Sequence, residues 1–497
     1  MTDTWQEAPA SPARPSTRWW ALAVISLAQL MVVLDATIVN IALPSVQQEL
    51  AMTDTDRHWV ITAYALAFGG LLLLGGRVSS ALSHRRSFVI GLTGFALASG
   101  LGGAADHAGV LFAARVGQGL FAALLAPAAL SLLILTFTDP RERAKAFGVF
   151  AGVGAGGAAF GVVAGGLLTE YADWRWCLYI NVPMALAALA GAPYLLRDRP
   201  TGELRRLDIP GVLLSAAGLV ALVYGFSQAE PHGWGDPKVL ALLTAGVLLL
   251  LLFVLVEARS PKPLLPLHIV AHRTRSVAFL SVCVMFVAMF GFYLFVSYYT
   301  QTILGYSPVE AGMTLLVNAV STTIGALLIA GRLQRRLAPD VLIAGSLACA
   351  ALGTLVLTRL DVDSTDVFVV YLTPSMMLTG IGLGCLLAVA TNRATAELDH
   401  AEAGIASAAY NTVQQVGAAF GTALLNSIAT SVTTAYLAER GNRPESVPAA
   451  TVHGYTVALW VAFGVLIGAA ALVALLALLA GRGGRGRTGR TGRMPVN

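Results

Sequence analysis

The stretch of sequence that decides the fold is residues 20–43, which read WALAVISLAQLMVVLDATIVNIAL. This run carries a single charged residue, Asp35. A helix needs about 20 predominantly apolar residues to cross the ~30 Å hydrocarbon core of a bilayer. Because the run is continuous and does not alternate between polar and apolar residues, it predicts a transmembrane helix and not a strand of a membrane barrel.

Thirteen further apolar runs follow along the chain. They lie near residues 58–75, 87–105, 109–135, 146–168, 177–196, 209–228, 238–256, 276–300, 308–330, 339–357, 367–391, 404–430 and 454–480. Together with the first run they predict an all-α polytopic membrane protein with fourteen transmembrane helices.

The composition excludes the main soluble classes of protein. Of the 497 residues 56% are hydrophobic and 12% are charged, whereas a soluble domain carries roughly 25% charged residues. The four cysteines lie at or within apolar runs without CxxC spacing, so we expect neither a disulfide framework nor a zinc site. The sequence contains no GxxxxGK[ST] phosphate loop. We therefore expect no cofactor, no metal, no catalytic residue and no nucleic-acid partner.

The positions of the basic residues predict how the chain is oriented in the membrane. If the N-terminus is cytoplasmic, 25 of the 32 lysines and arginines fall in cytoplasmic segments, 6 fall outside, and Arg115 lies within a span. This bias follows the positive-inside rule, so both termini are predicted to be cytoplasmic. The five arginines after Gly481 are expected to contact the anionic headgroups of the bilayer.

Two short segments recur at nearly the same offset. Gly157-Ala-Ala-Phe-Gly161 reappears as Gly417-Ala-Ala-Phe-Gly421, and Gly76-Arg77-Val78 leads to Leu82 as Gly331-Arg332-Leu333 leads to Leu337. The repeats predict two related six-helix halves with two helices inserted between them, as is common in transporters. The predicted segments are a cytoplasmic tail (1–18), an N-terminal bundle (19–197), two inserted helices (198–258), a cytoplasmic linker (259–275), a C-terminal bundle (276–481) and an Arg-rich cytoplasmic tail (482–497).

Several motifs resemble those of one transporter family. They are Leu34-Asp-Ala-Thr-Ile-Val-Asn-Ile-Ala-Leu-Pro44, Arg115-Val-Gly-Gln-Gly119, Trp174-Arg-Trp176 with Asn181-Val-Pro183, Gln301-Thr-Ile-Leu-Gly-Tyr-Ser-Pro308, and Asn411-Thr-Val-Gln-Gln415. Together they resemble the major facilitator superfamily, and within it the fourteen-helix drug:proton antiporter group. The resemblance covers nearly the whole chain and implies efflux of drugs or antibiotics.

The sequence departs from the family pattern at three positions. The family motif between the second and third helices carries an Asp and a Gly that help to hold the cytoplasmic gate, and here Ser80 and Ser83 stand in their place. The antiporter motif of the fifth helix carries Gly-Pro, and here Gly161 is followed by Val162.

Asp35 and Arg115 are the candidates for proton coupling. A charge at the bilayer centre costs about 2.5–3.5 kcal/mol on insertion scales, so an acid there usually faces a cavity or changes protonation. Burial disfavours a charged carboxyl and a nearby cation favours it, so a carboxyl exposed to each side in turn could load and release a proton. Arg115 cannot deprotonate and needs a partner. Either residue could instead tie helices together, and the sequence does not show whether the two touch.

Polar and aromatic side chains inside the spans are the candidates for substrate binding. One face of the thirteenth predicted helix combines, by helical spacing, Ser407, Asn411, Gln414 and Gln415. Weaker candidates are Gln29, Asn40, Gln118, Asn318 and Asn392. On the ninth helix Tyr293 and Phe295 could stack against a planar or apolar drug. For each of these groups the alternative is packing or a helix-to-helix hydrogen bond.

Glycines and basic residues mark predicted packing and gating positions. Gly157, Gly161 and Gly165 recur every fourth residue, and such a stripe lets helix backbones approach closely. The candidates for gating or packing are these three together with Gly76, Arg77, Arg85, Arg86 and Gly166.

The sequence predicts a bacterial inner-membrane transporter, monomeric, that exports hydrophobic or amphipathic small molecules by alternating access coupled to proton influx. The alternative is a proton-coupled or facilitative transporter of an endogenous metabolite with altered gating. A membrane enzyme or a sensor is disfavoured because such an enzyme usually needs a cluster of His, Asp or Glu near the interface, and His84, His107, His232 and His453 are scattered.

Overall fold

The regular secondary structure of the protein, where its structure can be described, is helical. The computed structural model describes residues 15–57, 59–137, 139–196, 209–260, 263, 267–361, 364–395, 400–440 and 443–485, and these ranges contain no strand. Most of both predicted tails lies outside these ranges.

The first eight long helices occupy the chain up to residue 259. They are α1 (Pro15–Glu49), α2 (Trp59–Leu82), α3 (His84–Gly103), α4 (Ala108–Thr136), α5 (Pro140–Tyr171), α6 (Asn181–Leu195), α7 (Ile209–His232) and α8 (Pro237–Arg259). Two short helices precede α2 and α6 and span Asp54–Arg57 and Trp176–Tyr179.

The remaining long helices follow a short helix, Leu267–Ala271. They are α9 (Arg273–Tyr298), α10 (Pro308–Ile324), α11 (Pro339–Leu357), α12 (Thr373–Thr395), α13 (His400–Glu439) and α14 (Val447–Arg485). π-helical turns extend α9 and α10 and precede α12, at Tyr299–Ile303, Gly325–Ala330 and Phe368–Leu372. Ser307 begins α10 with a capping box, because its hydroxyl accepts from the Glu310 backbone while the Glu310 side chain accepts from the Ser307 backbone.

The helices are those of a multi-pass membrane protein. Within the described ranges, ten helical segments are long and apolar enough to cross a bilayer. Two shorter apolar segments are Trp59–Leu72 and Pro210–Phe226. The number of membrane crossings predicted from the sequence, fourteen, stays a prediction.

Helices α1–α6 and α9–α14 pack in the same pattern. In the first set α1 packs on α5 and α6, α4 packs on α2 and α3, and α3 packs on α6. In the second set α9 packs on α13 and α14, α12 packs on α10 and α11, and α11 packs on α14. The two sets meet where α2 contacts α13 and where α5 contacts α10, while α7 and α8 pack on each other and α7 also contacts α2 and α13.

Glycines allow the closest helix contacts, and the repeated GAAFG sequence supplies one in each set. A Cβ added to Gly161 of α5 would lie 2.2 Å from the Thr37 hydroxyl of α1. A Cβ added to Gly421 of α13 would lie 2.0 Å from the Val287 carbonyl oxygen of α9. Both distances are far below van der Waals contact, so the helices can cross this closely only because glycine has no side chain at these positions.

Adjacent glycines of α2 provide a matched test of this packing. A Cβ on Gly75 would lie 2.0 Å from the Ala123 carbonyl oxygen of α4, whereas one on Gly76 would lie 3.7 Å from Pro127, an ordinary contact. We expect Gly75→Ala to lower the free energy of unfolding by about 1–3 kcal/mol through overpacking. Gly76→Ala should leave it unchanged or raise it, because Ala favours the helix. Thermal unfolding of the purified variants checks this, and equal stability of the two would contradict the close α2–α4 contact.

Candidate functional site

The centre of α1 holds a buried carboxylate. Asp35 is 0% exposed and Arg115, its ion-pair partner, is 1% exposed. An Arg115 Nη1 donates to Asp35 Oδ2 at 2.6 Å. The two residues that the sequence analysis identified separately thus form one buried ion pair between α1 and α4.

Amide side chains complete the shell of the carboxylate. Gln118 Nε2 and Asn181 Nδ2 donate to Asp35 Oδ1 at 2.7 Å and 2.8 Å. Gln118 also accepts from Arg115 Nη1 at 2.9 Å and donates to the Ser99 hydroxyl at 2.8 Å. We call Asp35, Ser99, Arg115, Gln118 and Asn181 the Asp35 cluster, and it joins α1, α3, α4 and the first residue of α6.

Backbone and ring contacts hold Arg115 in place. Its Nε donates to the Val60 carbonyl oxygen at 2.8 Å, and its guanidinium lies 4.4 Å from the centre of the Tyr64 ring. A guanidinium over an aromatic face gains attraction from the ring, most of all when both are desolvated. Arg115 therefore ties α2 as well as α1 to α4.

Two members of the cluster were not predicted. Asn181 stands in the quoted Asn181-Val-Pro183 motif, but nothing in the sequence linked it to a residue 146 positions away. Ser99 is an ordinary small residue of α3 and gave no signal. Gln118 was a candidate for substrate contact, and the structure places it 0% exposed inside the cluster.

A second polar network lies among α9, α10 and α12. The Tyr293 hydroxyl donates to Asn318 Oδ1 at 2.8 Å, and Asn318 Nδ2 donates to the Thr379 hydroxyl at 2.8 Å. Phe295 is 2% exposed and its ring stacks on Tyr455 of α14, with 4.8 Å between the ring centres. Tyr293 and Phe295, paired in the prediction, therefore face different neighbours.

The other substrate candidates do not form one cluster. Asn411 is exposed on α13, and Gln414 and Gln415 are half-buried. Gln415 packs against α2, because a Cβ on Gly69 would lie 2.6 Å from its Cβ. The side chain of Ser407 lies outside the part of the chain that is described.

Three further candidates lie on α1 and α12. Gln29 is half-buried beside α5, since a Cβ on Gly154 would lie 3.7 Å from its Nε2. Asn40 is buried and its Nδ2 donates to the Ala36 carbonyl oxygen of its own helix at 3.2 Å. Asn392 is exposed and donates to Gln334 at 3.4 Å.

The turn between α2 and α3 carries a strained serine. Ser83 has φ 98° and ψ 143°, a region that glycine occupies readily and other residues rarely. Its hydroxyl caps α3 by accepting from the Arg86 backbone nitrogen at 3.3 Å. The geometry gives a physical reason why the family motif carries Gly at this position. Arg85 is half-buried and Arg86 is exposed, while the side chains of Arg77 and Ser80 are not described.

His84 adjoins this turn and is held by a neighbour. Its Nδ1 lies 2.9 Å from the Ser79 hydroxyl, and burial lowers the pKa of the imidazole below its usual value. The ring is therefore neutral near pH 7.

The glycines of α5 face two different helices. Gly157, Gly161 and Gly165 pack on α1, where a Cβ on Gly165 would lie 2.8 Å from the Ile38 carbonyl oxygen. Gly166 faces α10, because its Cβ would lie 2.7 Å from the Pro308 carbonyl oxygen. The stripe thus sits between the helix that carries Asp35 and the start of α10.

Hydrogen bonds join α1 to α9 at one end of the molecule. Pro44 lacks the N–H that would bond the Asn40 carbonyl oxygen within α1, and this oxygen accepts from the Ser297 hydroxyl at 2.8 Å instead. The Tyr298 hydroxyl donates to Gln47 Oε1 at 2.6 Å. A proline in one helix thus frees a backbone acceptor for its neighbour.

Arg57 extends these contacts to α13. Its Nη2 donates to Asn426 Oδ1 at 3.2 Å, and its guanidinium lies 4.1 Å from the centre of the Tyr298 ring. Nearby, the Val309 backbone nitrogen donates to the Glu170 carboxylate at 3.1 Å. We call the end of the molecule that carries these contacts, at Asn40, Gln47, Arg57, Ser297, Tyr298 and Asn426, the contact end.

Comparisons with a family sequence pattern and with individual proteins agree on one family. The sequence pattern of the Major Facilitator Superfamily matches residues 25–422. The chain is 56% identical to the puromycin resistance protein of Streptomyces alboniger over 455 residues, which covers 92% of this chain and 90% of that protein. It is 36% identical to the cephamycin export protein of Amycolatopsis lactamdurans, over 86% of this chain and 88% of that protein.

Solved structures show the same fold. The crystal structure of the POT family transporter PepTSo matches with a TM-score of 0.69 at 16% identity and covers 94% of this chain and 98% of that chain. Such low identity supports the fold and nothing finer. The drug-efflux resemblance drawn from the sequence motifs is confirmed by the antibiotic export and resistance proteins among the relatives.

The Asp35–Arg115 pair predicts a stability defect that a double variant rescues. Removing one partner of a buried ion pair costs about 3–5 kcal/mol because the other charge is left uncompensated. We expect Arg115→Gln to lower the unfolding temperature, because Asp35 then stays buried without its cation. The double variant Asp35→Asn/Arg115→Gln should recover most of the loss. Tryptophan fluorescence during heating measures this, and a double variant as unstable as Arg115→Gln would contradict the pairing.

Proposed function

This chain belongs to the major facilitator superfamily of transporters, and we propose that it exports hydrophobic or amphipathic antibiotics in exchange for protons. The observation that carries the proposal is the buried Asp35–Arg115 pair, a titratable group held at the centre of a membrane helix. The functions for which two relatives are named, resistance to puromycin and export of cephamycin, support the direction of transport and the class of substrate.

We infer an architecture of two six-helix halves with α7 and α8 inserted between them, all fourteen long helices crossing the membrane. The equivalent packing of α1–α6 and α9–α14 supports this. So does the use of the same GAAFG sequence at the α1–α5 and α9–α13 crossings. The predicted bundles, residues 19–197 and 276–481, contain these two sets of helices.

The orientation follows from the distribution of basic residues. With both termini in the cytoplasm, the contact end lies at the outer face of the bacterial inner membrane. The halves are then joined on the outside by α1–α9 and Arg57–Asn426 contacts, which close the outer side. Alternating access requires these contacts to break and form in each cycle. We take the working unit to be the monomer, because the pathway lies between halves of one chain.

The proton supplies enough energy for resistance. One proton moving inward through about 150 mV releases about 3.5 kcal/mol, and a pH difference of about one unit adds about 1.4 kcal/mol. The total of about 5 kcal/mol could hold a gradient of about 10³–10⁴ for a neutral substrate.

The test is proton release from inverted membrane vesicles on addition of puromycin, followed with a pH-sensitive dye. The transporter should release protons from the vesicle interior, and Asp35→Asn should abolish this release because the residue can no longer titrate. Asp106→Asn, the same change at an exposed acid, is the matched control and should keep full coupling.

Other outcomes have definite meanings. Unchanged proton release in Asp35→Asn would remove this residue from the coupling mechanism. Substrate movement without proton release would favour the facilitative alternative. A panel of other antibiotics and metabolites, added in the same assay, defines the range of substrates.

The contact end generates a separate prediction about the transport cycle. Ser297→Ala leaves the Asn40 carbonyl oxygen without its partner, and Tyr298→Phe removes the bond to Gln47. We expect the double variant to shift the population towards the outward-open state, with faster hydrogen–deuterium exchange in residues 40–47 and 297–303. Tyr306→Phe, in the loop after α9, is the control because the described contacts give it no bond to α1. Exchange unchanged from the parent protein would contradict a closing role.

A further inference from the structure

Asn181 offers the Asp35 cluster an unused hydrogen-bond acceptor. Its Nδ2 donates to Asp35 Oδ1 at 2.8 Å, while its own Oδ1 is buried without a hydrogen-bond partner among the described residues. The residue is 0% exposed. Such an orphaned acceptor normally costs about 1–3 kcal/mol, so its presence beside a titratable group calls for a function.

The other partners of Asp35 cannot accept a hydrogen bond from its carboxyl group. Arg115 has donors only. Gln118 is fixed in its orientation, because its Oε1 receives the Arg115 guanidinium and its Nε2 donates to both Asp35 and Ser99. Turning this amide over would set its NH₂ against the guanidinium, donor against donor. Asn181 can turn over without breaking any bond except the one to Asp35.

We propose that Asn181 is a positioning residue that accepts the hydrogen bond of protonated Asp35, which rests on the proposed proton coupling. A proton arriving from water binds Asp35 Oδ1 and neutralises the carboxylate. The Asn181 amide then rotates by about 180°, which brings its Oδ1 to the place of Nδ2, and the new O–H of Asp35 donates to it. The proton stays on Asp35, and the reverse rotation accompanies its release.

This exchange makes both charge states of Asp35 compatible with one packed site. The ionised form keeps donors from Arg115, Gln118 and Asn181, and the neutral form gains its acceptor from Asn181. Within the described ranges, the titratable groups that interact with Asp35 are Arg115 from α4, Tyr64 from α2 and Cys177 from the short helix before α6. α3 and α6 face it with Ser99 and Asn181, which do not titrate, and α5 packs on this part of α1 with Gly161.

The test is infrared difference spectroscopy of the purified protein, which follows the carbonyl band of protonated carboxyls as the pH changes. The Asp35 band is the one that Asp35→Asn removes. Asn181→Leu removes the acceptor for the O–H of neutral Asp35, so this carbonyl band should move to higher wavenumber, as a carboxyl band does when its O–H loses a hydrogen bond. Asn318→Leu, the same change at a buried amide of the second polar network, is the control and should leave the Asp35 band in place.

A band displaced in Asn181→Leu and unmoved in Asn318→Leu would support the proposal, since a merely structural role gives Asn181 no bond to the neutral carboxyl. An Asp35 band at the parent position in Asn181→Leu, with the band still absent in Asp35→Asn, would overturn the role of Asn181 and leave the proposed function intact. A titrating band that survives in Asp35→Asn would overturn the proton-coupling role itself. If Asn181→Leu does not fold, as judged by size-exclusion chromatography, the band position in Asn181→Val, which removes the same acceptor, decides.

Discussion

A carboxylate without water must be paired, and this constraint organises the N-terminal part of the molecule. Asp35 is fully buried, so the ionised form needs a cation and hydrogen-bond donors within reach. The chain supplies them from two other helices, with Arg115 and, one turn further on, Gln118 in α4, and Asn181 at the start of α6. The positions of α1, α4 and α6 relative to one another are therefore fixed by chemistry as well as by packing.

The C-terminal set of helices solves the same packing problem without charge. The first set joins α1, α3, α4 and α6 through the Asp35 cluster. In the second set, Phe295 of α9, Leu357 of α11, Leu372 of the π-helical turn before α12 and Tyr455 of α14 line an apolar cavity. The stacked Phe295 and Tyr455 rings occupy this region. Two sets of helices with equivalent packing thus differ at their centres, and a titratable centre of this kind is found, among the described residues, in the first set.

The sequence predicted the helices better than their contacts. Hydropathy located the apolar centre of α1 at residues 20–43, but the helix extends over Pro15–Glu49 because polar flanking residues continue the helical backbone. Asp35 and Arg115 were recognisable because charges are rare inside spans, yet their pairing joins residues 80 positions apart and depends on how α1 and α4 cross. Asn181 and Ser99 are uncharged and carry no such signal. Tyr293 and Phe295 were grouped as aromatic residues of the same predicted helix, and the three-dimensional packing gives them different partners.

Helix α1 connects the carboxylate of Asp35 to the contact end. Asp35 and Gln47 lie on the same helix, about 18 Å apart along its axis at 1.5 Å per residue. Between them Pro44 interrupts the backbone hydrogen bonds and leaves the Asn40 carbonyl oxygen to Ser297 of α9. Gly157, Gly161 and Gly165 of α5 pack along this helix, and the adjacent Gly166 packs on Pro308 at the start of α10. A change of charge at Asp35 therefore acts on a helix whose far end already bonds the other half of the molecule.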